Sequence, residues 1–522
     1  MTTFSPFQTA VIGAVKAGSE HIVVDAKAGS GKSFTILASI QALRASGDLD
    51  GGTLLMAFNK SIQVELTEKC RSKGIPTGGY KGLTVKTFHS LGFAAWMRFM
   101  GKRVKVKVDD RKSWNILRNA VKNQSIDWID KEFVSEYGAV AAKLTAYAKN
   151  EGVGAVIDGV RIANTADVYE RIFDHHCMTL QRESSELSEA IKLAIWLLRE
   201  SARMKHIIDY NDMLWLPVVY NASFFRNRRV FVDELQDTNP LQLEIAVRSL
   251  RNDGQFVGVG DPNQAIYGFR GADSAAFNTV IDRFGATVLP LSICYRCPKA
   301  VVAAAQSIVP SITAADDADE GSVVTIEDYD AKFWEGGDIA VLCRNNAPLI
   351  AMAYGMIRRR IPAKVLGRDI GAGMLAIIDK MNALDIETLI SRLDAYFSRE
   401  IERAEKRDQQ RKIEQMNDQQ ACMQVFIDNL TETNRTVAGL KRQISSLFDD
   451  NGSAGVTLSS IHKSKGREWP TVCILDEHLM PSPYAKKEWM QVQEENLRYV
   501  AITRAENTLC YLDSDCWSDD KR

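Results

Sequence analysis

Ala26-Lys27-Ala28-Gly29-Ser30-Gly31-Lys32-Ser33 follows a short apolar run, Ile22 to Val24, and precedes a run that reads as helix, Phe34 to Leu43. Strand, tight loop, helix is the setting in which a phosphate loop works. Glycines let the backbone curl until successive N–H groups point inward at phosphate oxygens, and the following helix adds the positive end of its dipole. In that reading Ala28, Gly29, Ser30 and Gly31 line the loop, Lys32 reaches the terminal phosphates and Ser33 a magnesium ion. The usual first glycine is replaced by Ala26, so the stretch taken alone also fits an ordinary glycine-rich turn.

Outward from the loop, apolar strand-like runs alternate with helical stretches: Thr53 to Phe58, Leu83 to Phe88, Val230 to Val232 and Phe256 to Val259. That alternation is the signature of a parallel sheet with crossover helices. A second series begins late, with Ile339 to Cys343, Val456 to Ser460, Thr471 to Leu475 and Thr508 to Leu512. The expected fold class is α/β with two cores, each interrupted by an inserted, mainly helical subdomain. The expected boundaries are 1–98 and 205–286 for the first core, 99–204 for its insert, 287–370 and 456–522 for the second core, and 371–455 for its insert. The basic alternating run Lys102 to Val108 opens the first insert, and Lys102 to Lys107 within it is a candidate duplex contact, with a solvated β-ribbon as the plain alternative. Arg399 to Gln415 reads as a solvated helix face laced with i,i+4 pairs and is assigned no chemistry. Ala314 to Gly321 and Asp449 to Gly455 read as loops.

With 522 residues and 45% hydrophobic composition, the chain can build three or four domains with cores of their own. Lys plus Arg number 65 against 66 Asp plus Glu, a net charge of -1, so a nucleic-acid site has to be a local patch. Nine scattered cysteines, no N-terminal signal and no long apolar span point to a reducing cytosolic compartment and away from a membrane. Cys294 and Cys297 have CxxC spacing, but no second pair with metal-ligand spacing exists, which argues against zinc.

After Val230 to Val232 comes Asp233-Glu234-Leu235-Gln236-Asp237. Adjacent carboxylates at a strand end, downstream of a phosphate loop, suit an ATPase, with Asp233 holding magnesium and Glu234 acting on the attacking water. An acidic surface corner is the plain alternative. The next strand ends in Gly260-Asp261-Pro262-Asn263-Gln264, followed by Ala265-Ile266-Tyr267-Gly268-Phe269-Arg270. Gln264 is placed to sense a γ-phosphate, and Tyr267 and Phe269 to stack on bases, worth about 1–3 kcal/mol per base. Either aromatic taken alone reads better as core packing. Further on stand Tyr295-Arg296, Arg344-Asn345, His462 to Trp469 and Arg498 to Ala505. A transferring phosphoryl group needs cations aimed at its developing charge, and arginines arriving from a second core make hydrolysis depend on closure of a cleft.

In order and spacing these blocks, from Gln8 to Arg504, resemble the UvrD/Rep-like branch of superfamily 1 helicases, the group that includes PcrA. Ala57-Phe58-Asn59-Lys60, Lys86 to Gly92 and Ile208 to Leu214 resemble the F-box DNA helicase and its phage and bacterial relatives. The resemblance implies two RecA-like P-loop cores with ATP and Mg2+ as cofactors. It implies that Gln8 reads adenine, that Tyr295 stacks on it, that Glu468 contacts the ribose, and that Gln264, Arg296 and Arg504 contact the γ-phosphate, Arg504 as the arginine finger. Lys32, Ser33, Asp233 and Glu234 keep the roles given above. Phe58, Asn59, Thr87, His89, Tyr267, Phe269, Arg270, Arg344, Asn345 and His462 match positions that stack bases or hold DNA phosphates. Ala26 for glycine, Phe269 for tryptophan, and Arg467 and Trp469 for leucine and phenylalanine depart from the family pattern without removing a catalytic group. The second insert is short for the family, and the chain ends too soon after its last motif for an appended nuclease.

The implied activity is an ATP- and magnesium-dependent translocase on single-stranded DNA that unwinds duplex from single-strand/double-strand junctions with 3′ to 5′ polarity. The implied setting is the cytoplasm of a bacterial or phage-infected cell, in association with the nucleoid. The alternative, from another class, is an ATP-switched DNA-binding protein that displaces bound proteins without unwinding. An RNA strand is a third possibility, because stacking contacts tolerate any base. No protein partner is legible.

Overall fold

Alternate residues of the central strands carry the first sheet. Val23, Leu54, Met56, Val230, Val232 and Phe256 belong to one buried cluster, and Ile22, Val24, Leu55, Phe231, Val257 and Val259 to another. Each strand is therefore buried on both faces, as parallel strands under crossover helices are. The computed structural model describes residues 4–49, 52–78, 82–124, 126–176, 178, 180, 185–266, 276–327, 330–335, 338–448 and 455–517. The chain divides into two compact units, residues 1–27 with 31–292, and residues 28–30 with 293–522.

The main sheet of the first unit has six strands, β1 (Ile22–Ala26), β2 (Thr53–Ala57), β3 (Thr84–Thr87), β4 (Asn227–Asp233), β5 (Leu250–Gly260) and β6 (Thr287–Leu291). All pair in parallel, in the order β6-β1-β5-β4-β2-β3. Helix α1 (Pro6–Ala17) precedes β1 and opens on a capping box, in which Ser5 and Gln8 bond each other's backbone, with Pro6 in its first turn and Gly18 left-handed at its end. Helices α2 (Lys32–Ala45), α3 (Lys60–Ser72) and α4 (Phe88–Met100) follow β1, β2 and β3.

Between α4 and β4 the chain builds α5 (Lys112–Asn123), α6 (Lys131–Asn150), α7 (Ala166–His175) and α8 (Leu187–Arg203), then α9 (Tyr210–Val219). Their apolar residues Leu117, Leu144, Phe173, Leu197 and Leu214 share a cluster with Met56 and Val232 of the sheet. Three buried charges, Lys112, Lys149 and Asp212, and the partly exposed Asp209 tie α9 to these helices. Lys112 Nζ donates to Asp212 Oδ2 (2.6 Å) and Ser201 O (2.7 Å), and Lys149 Nζ reaches Asp212 Oδ1 (2.7 Å) and Asp209 Oδ2 (2.6 Å). The basic run is no ribbon across its length: Lys102 to Val106 is turn and loop, and Lys107–Val108 pairs in parallel with Ile207–Ile208.

The second unit repeats the plan with β7 (Ser322–Ile326), β8 (Ile339–Cys343), β9 (Ala363–Leu366), β10 (Val456–Ser460), β11 (Trp469–Leu475) and β12 (Ala505–Leu512), all parallel in the order β7-β12-β11-β8-β10-β9. The helices between β9 and β10 share a buried cluster with the sheet, Phe397, Met423 and Leu440 packing with Val341 and Leu458. Arg399 to Gln415 proves not to be a uniformly solvated face. It spans the end of the Ile386–Glu405 helix, a turn, and the start of the Gln410–Asp428 helix. Glu400 and Gln409 in it are buried, and Glu414 is an ion-pair partner of Arg344 at 3.1 Å. Ala315 to Gly321 is loop, whereas residues 449–454 lie outside the described residues. Among the described residues no helix is long and apolar enough to cross a membrane.

Candidate functional site

Every strand of the first sheet runs the same way, so the turns after β1 to β5 emerge along one edge of it. After β1, Gly29 and Gly31 take φ of 67° and 80°, a left-handed region that glycine enters freely. Gly31 caps α2 without any side chain bonding the first N–H groups, whereas Asn59 and Thr87 close α3 and α4 through their side chains. Thus α2 presents the open N-terminus that an anion needs. Ala28 and Ser30 are buried, and the Ser30 hydroxyl finds no partner among the described residues. Gln8 is also buried. Its Oε1 accepts from Ser5 N, and its Nε2 lies 3.5 Å from where a Cβ on Gly31 would be.

A hydrogen-bonded chain links the turns after β4 and β5 to Lys32. Lys32 Nζ donates to Glu234 Oε2 (2.8 Å), and Gln236 Nε2 donates to the same oxygen (2.6 Å). Gln236 Oε1 accepts from Asp261 N (3.1 Å), and Gln264 Nε2 donates to Asp261 Oδ2 (2.9 Å). Glu234 sits at φ 53° with its N–H on Asp233 Oδ1 (3.0 Å), while Ser33 Oγ approaches Asp233 Oδ2 at 3.5 Å. Glycine is required at position 260, because a Cβ there would lie 2.2 Å from Gln236 Oε1. Lys27 Nζ bonds both Asp25 (2.8 Å) and Asn263 Oδ1 (3.0 Å), joining the ends of β1 and β5.

The electrostatics follow from this crowding. Burial and the adjacent Glu234 charge push the Asp233 carboxyl up to about 7, against the pull of Lys32. Burial likewise raises Asp261, with Lys32 and Lys27 opposing. For Lys32, burial works downward, but Glu234, Asp261 and Asp233 outweigh it and hold the ammonium above its usual value. Three carboxyls, Asp233, Glu234 and Asp261, around the Lys32 ammonium leave the site short of positive charge. That donor set, with the Ser33 hydroxyl and the open end of α2, fits a magnesium nucleotide.

Sequence reading overlooked Asp25, Lys27, Gln236 and Asp261. Lys27, Gln236 and Asp261 stood inside quoted blocks. Asp25 and Lys27 lie two apart, the spacing that puts strand side chains on one face.

On the DNA side, half-buried Phe58 and exposed Asn59 follow β2, and Thr87 ends β3 with His89 just beyond it on the same sheet edge. Asn59 Oδ1 accepts from Ile62 N (2.9 Å) and Thr87 Oγ1 from Ser90 N (3.2 Å), so both also serve as helix caps. Burial lowers His89. Tyr267, Phe269 and Arg270 lie outside the described residues.

Within the second unit Tyr295 is half exposed, and Arg296 pairs with Glu468 while donating to Thr503 O (3.2 Å). Arg504 is buried, with Nε on Val500 O and Nη1 on Arg467 O, both at 3.1 Å. Arg296, Glu468 and Arg504 thus gather around the turn from Arg467 to Trp469. Cys297 N donates to Cys294 Sγ (3.4 Å), and both thiols are free. Arg344 and Asn345 follow β8, and His462 follows β10. Arg344, a candidate phosphate contact, already has its charge matched by two carboxylates, Glu494 at 2.8 Å and Glu414 at 3.1 Å.

A family model described as the UvrD/REP helicase N-terminal domain matches residues 8–285, and one described as the UvrD-like helicase C-terminal domain matches residues 376–512. The chain is similar to the ATP-dependent DNA helicase PcrA of Bacillus subtilis, 22% identical over 95% of this chain and 81% of that protein. It is also similar to the ATP-dependent DNA helicase UvrD1 of Mycobacterium bovis, 25% identical over 68% of this chain and 48% of that protein, about half its length. Among solved structures, an Arterivirus nonstructural protein 10 (helicase) with DNA is matched over 97% of this chain and 63% of its own, at 12% identity and a TM-score of 0.35, too low to carry an argument. The first family model alone spans more than half of the 522 residues, and its match runs through the phosphate loop, the Asp233-Glu234 corner and Gln264. The chain belongs to the UvrD/REP helicase family.

Proposed function

We propose that this protein is an ATP- and magnesium-dependent translocase on single-stranded DNA that separates duplex at single-strand/double-strand junctions with 3′ to 5′ polarity. One observation carries the reading: the continuous chain Lys32, Glu234, Gln236, Asp261, Gln264 across the ends of β4 and β5. It joins the residue suited to grip phosphate, the residue suited to act on water and the residue suited to sense the γ-phosphate. Polarity rests on the family resemblance, as do the cytoplasmic, nucleoid-associated setting and the domain limits drawn from the sequence.

Magnesium ATP would supply the transferable phosphoryl group and a divalent counter-charge for the Asp233 carboxylate. Lys32 and the first N–H groups of α2 hold the phosphates, and Ser33 and Asp233 ligate the cation. Glu234 orients the attacking water and takes up its proton. Gln236 links the Glu234 carboxylate to Asp261, and through it Gln264 registers whether the γ-phosphate is present. Arg296 and Arg504 supply cations to the transition state. Phe58, Asn59, Thr87 and His89, on the same sheet edge, meet the DNA together with Tyr267, Phe269, Arg270, Asn345 and His462.

Lys32→Ala abolishes DNA-stimulated ATP hydrolysis while leaving the circular dichroism spectrum unchanged; undiminished turnover would overturn the assignment. A strand-displacement assay with 3′-tailed and 5′-tailed duplexes tests the rest. Opening of the 3′-tailed substrate alone supports the full reading. ATP-driven removal of streptavidin from a biotinylated strand without duplex opening favours the protein-displacing alternative.

A further inference from the structure

On α8, Lys192, Trp196 and Arg199 share one face, since positions i, i+4 and i+7 align on a helix. With Trp128, from the turn before α6, and Glu170 on α7, they line an open groove of about 360 Å³. Trp128 and Trp196 meet edge to face, centroids 6.4 Å apart at 79°, and Phe133 braces Trp128 edge-on at 5.6 Å. Lys192 Nζ lies 4.5 Å from the Trp128 ring centroid and 3.2 Å from a Glu189 oxygen, and Lys192 and Arg199 are exposed. Neither the phosphate chain nor the sheet-edge residues draw on this groove.

We propose that the groove binds one unpaired nucleotide of the DNA strand, its base against the tryptophans and its flanking phosphates on Lys192 and Arg199. The proposal rests on the DNA-translocase reading. Size favours this occupant, because the volume sits near the lower end of the roughly 300–1,000 Å³ of small-ligand sites. It suits one planar ring and a sugar rather than a docked helix. Chemistry favours it as well. An indole face takes any base, and a cation beside it gains from both the ring and a phosphate. Seven positions along α8 offset Lys192 and Arg199 by about 10.5 Å along the helix axis, with Trp196 between them. Glu170, on the neighbouring helix, supplies an acceptor for the exocyclic amino group of a base.

The test is photocrosslinking of the full-length protein to an oligothymidylate carrying 5-iodouracil, with adducts mapped by mass spectrometry, alongside affinity measured across salt concentrations. An adduct on Trp128 or Trp196 is expected, and Trp196→Ala should weaken single-strand binding about fivefold or more. Because that side chain is half-buried, the doubly exposed Lys192→Ala/Arg199→Ala variant provides an arm that does not strain the fold. It should flatten the slope of log affinity against log salt by about 1.4 for two lost phosphate contacts. Adducts confined to other residues, with the slope unchanged in that variant, would overturn the groove while leaving the DNA reading intact. A peptide occupant gives that same result. Failure of the parent protein to bind single-stranded DNA at all sinks the translocase reading, and the groove with it.

Discussion

At Asp233, stability and function pull apart. Its carboxyl sits at about 7 in the fold against an ordinary value near 3.8, raised first by burial and then by Glu234. The ionised group therefore costs stability. That cost is fully present above about pH 7, shrinks as the pH falls, and is gone below the unfolded value. Asp233→Asn should accordingly raise the melting temperature of the ligand-free protein at pH 8, with a smaller gain at pH 6, while abolishing magnesium-dependent hydrolysis. Thermal melts at the two pH values check this, and an equal or reversed shift would refute it. Lys32, Asp233 and Glu234 were legible in the sequence because their chemistry is written in contiguous blocks. The bridging role of Gln236 was not. It arises only because β4 and β5 are neighbours and because position 260 lacks a Cβ, two facts that no local stretch of sequence contains.

At the scale of elements, the sequence showed the central strands, which are buried on both faces, together with the edge strand β3, and missed the other three edge strands. Every strand-like run read from the sequence is a strand, but β6, β7 and β9 went unread, and all three lie at sheet edges. Their residues are partly exposed, whereas those of β2, β8 and β10 are wholly buried, so the edges lack a continuous apolar signal. Pro290 in β6 is tolerated for the same reason. The Gln410–Asp428 helix carries a second lesson. Asp418 accepts from Asn346 N (2.9 Å), Ala347 N (3.1 Å) and Asn346 Nδ2 (2.8 Å), and Ser482 Oγ donates to Glu414 Oε1 (2.6 Å). With Arg344 on Glu414, these bonds latch the helix to the end of β8. Charges that read as solvated are in fact spent on docking, a long-range pairing that helix periodicity cannot reveal. Arg344→Ala strands two carboxylates and should cost somewhat less than the ~3–5 kcal/mol of a fully buried pair, since these side chains keep some exposure. Hydrogen exchange along residues 410–428 should rise; unchanged protection there would dismiss the latch.

For the molecule as a whole, the inserted helices of the first unit are not an appendage. They share an apolar cluster with the sheet and are pinned to α9 through Asp212, which is 0% exposed. Asp212→Asn leaves Lys112 and Lys149 short of a counter-charge and should cost about 3–5 kcal/mol. Exchange protection should fall together in α5 to α8 and in β2 and β4; loosening confined to the helices would show that they fold apart from the sheet. The same topology has a consequence for how the protein is made. β1, which delivers the phosphate loop, lies between β5 and β6, so its neighbours begin at Leu250 and Thr287. At roughly 5–20 residues per second of synthesis, the ribosome needs on the order of 10–50 s after finishing β1 before either partner strand is made. Throughout that interval the most recognisable stretch of the chain is a strand with an apolar surface and nothing to pair with. The nascent protein is thus exposed to chaperones, and to misassembly, at the strand that delivers the phosphate loop.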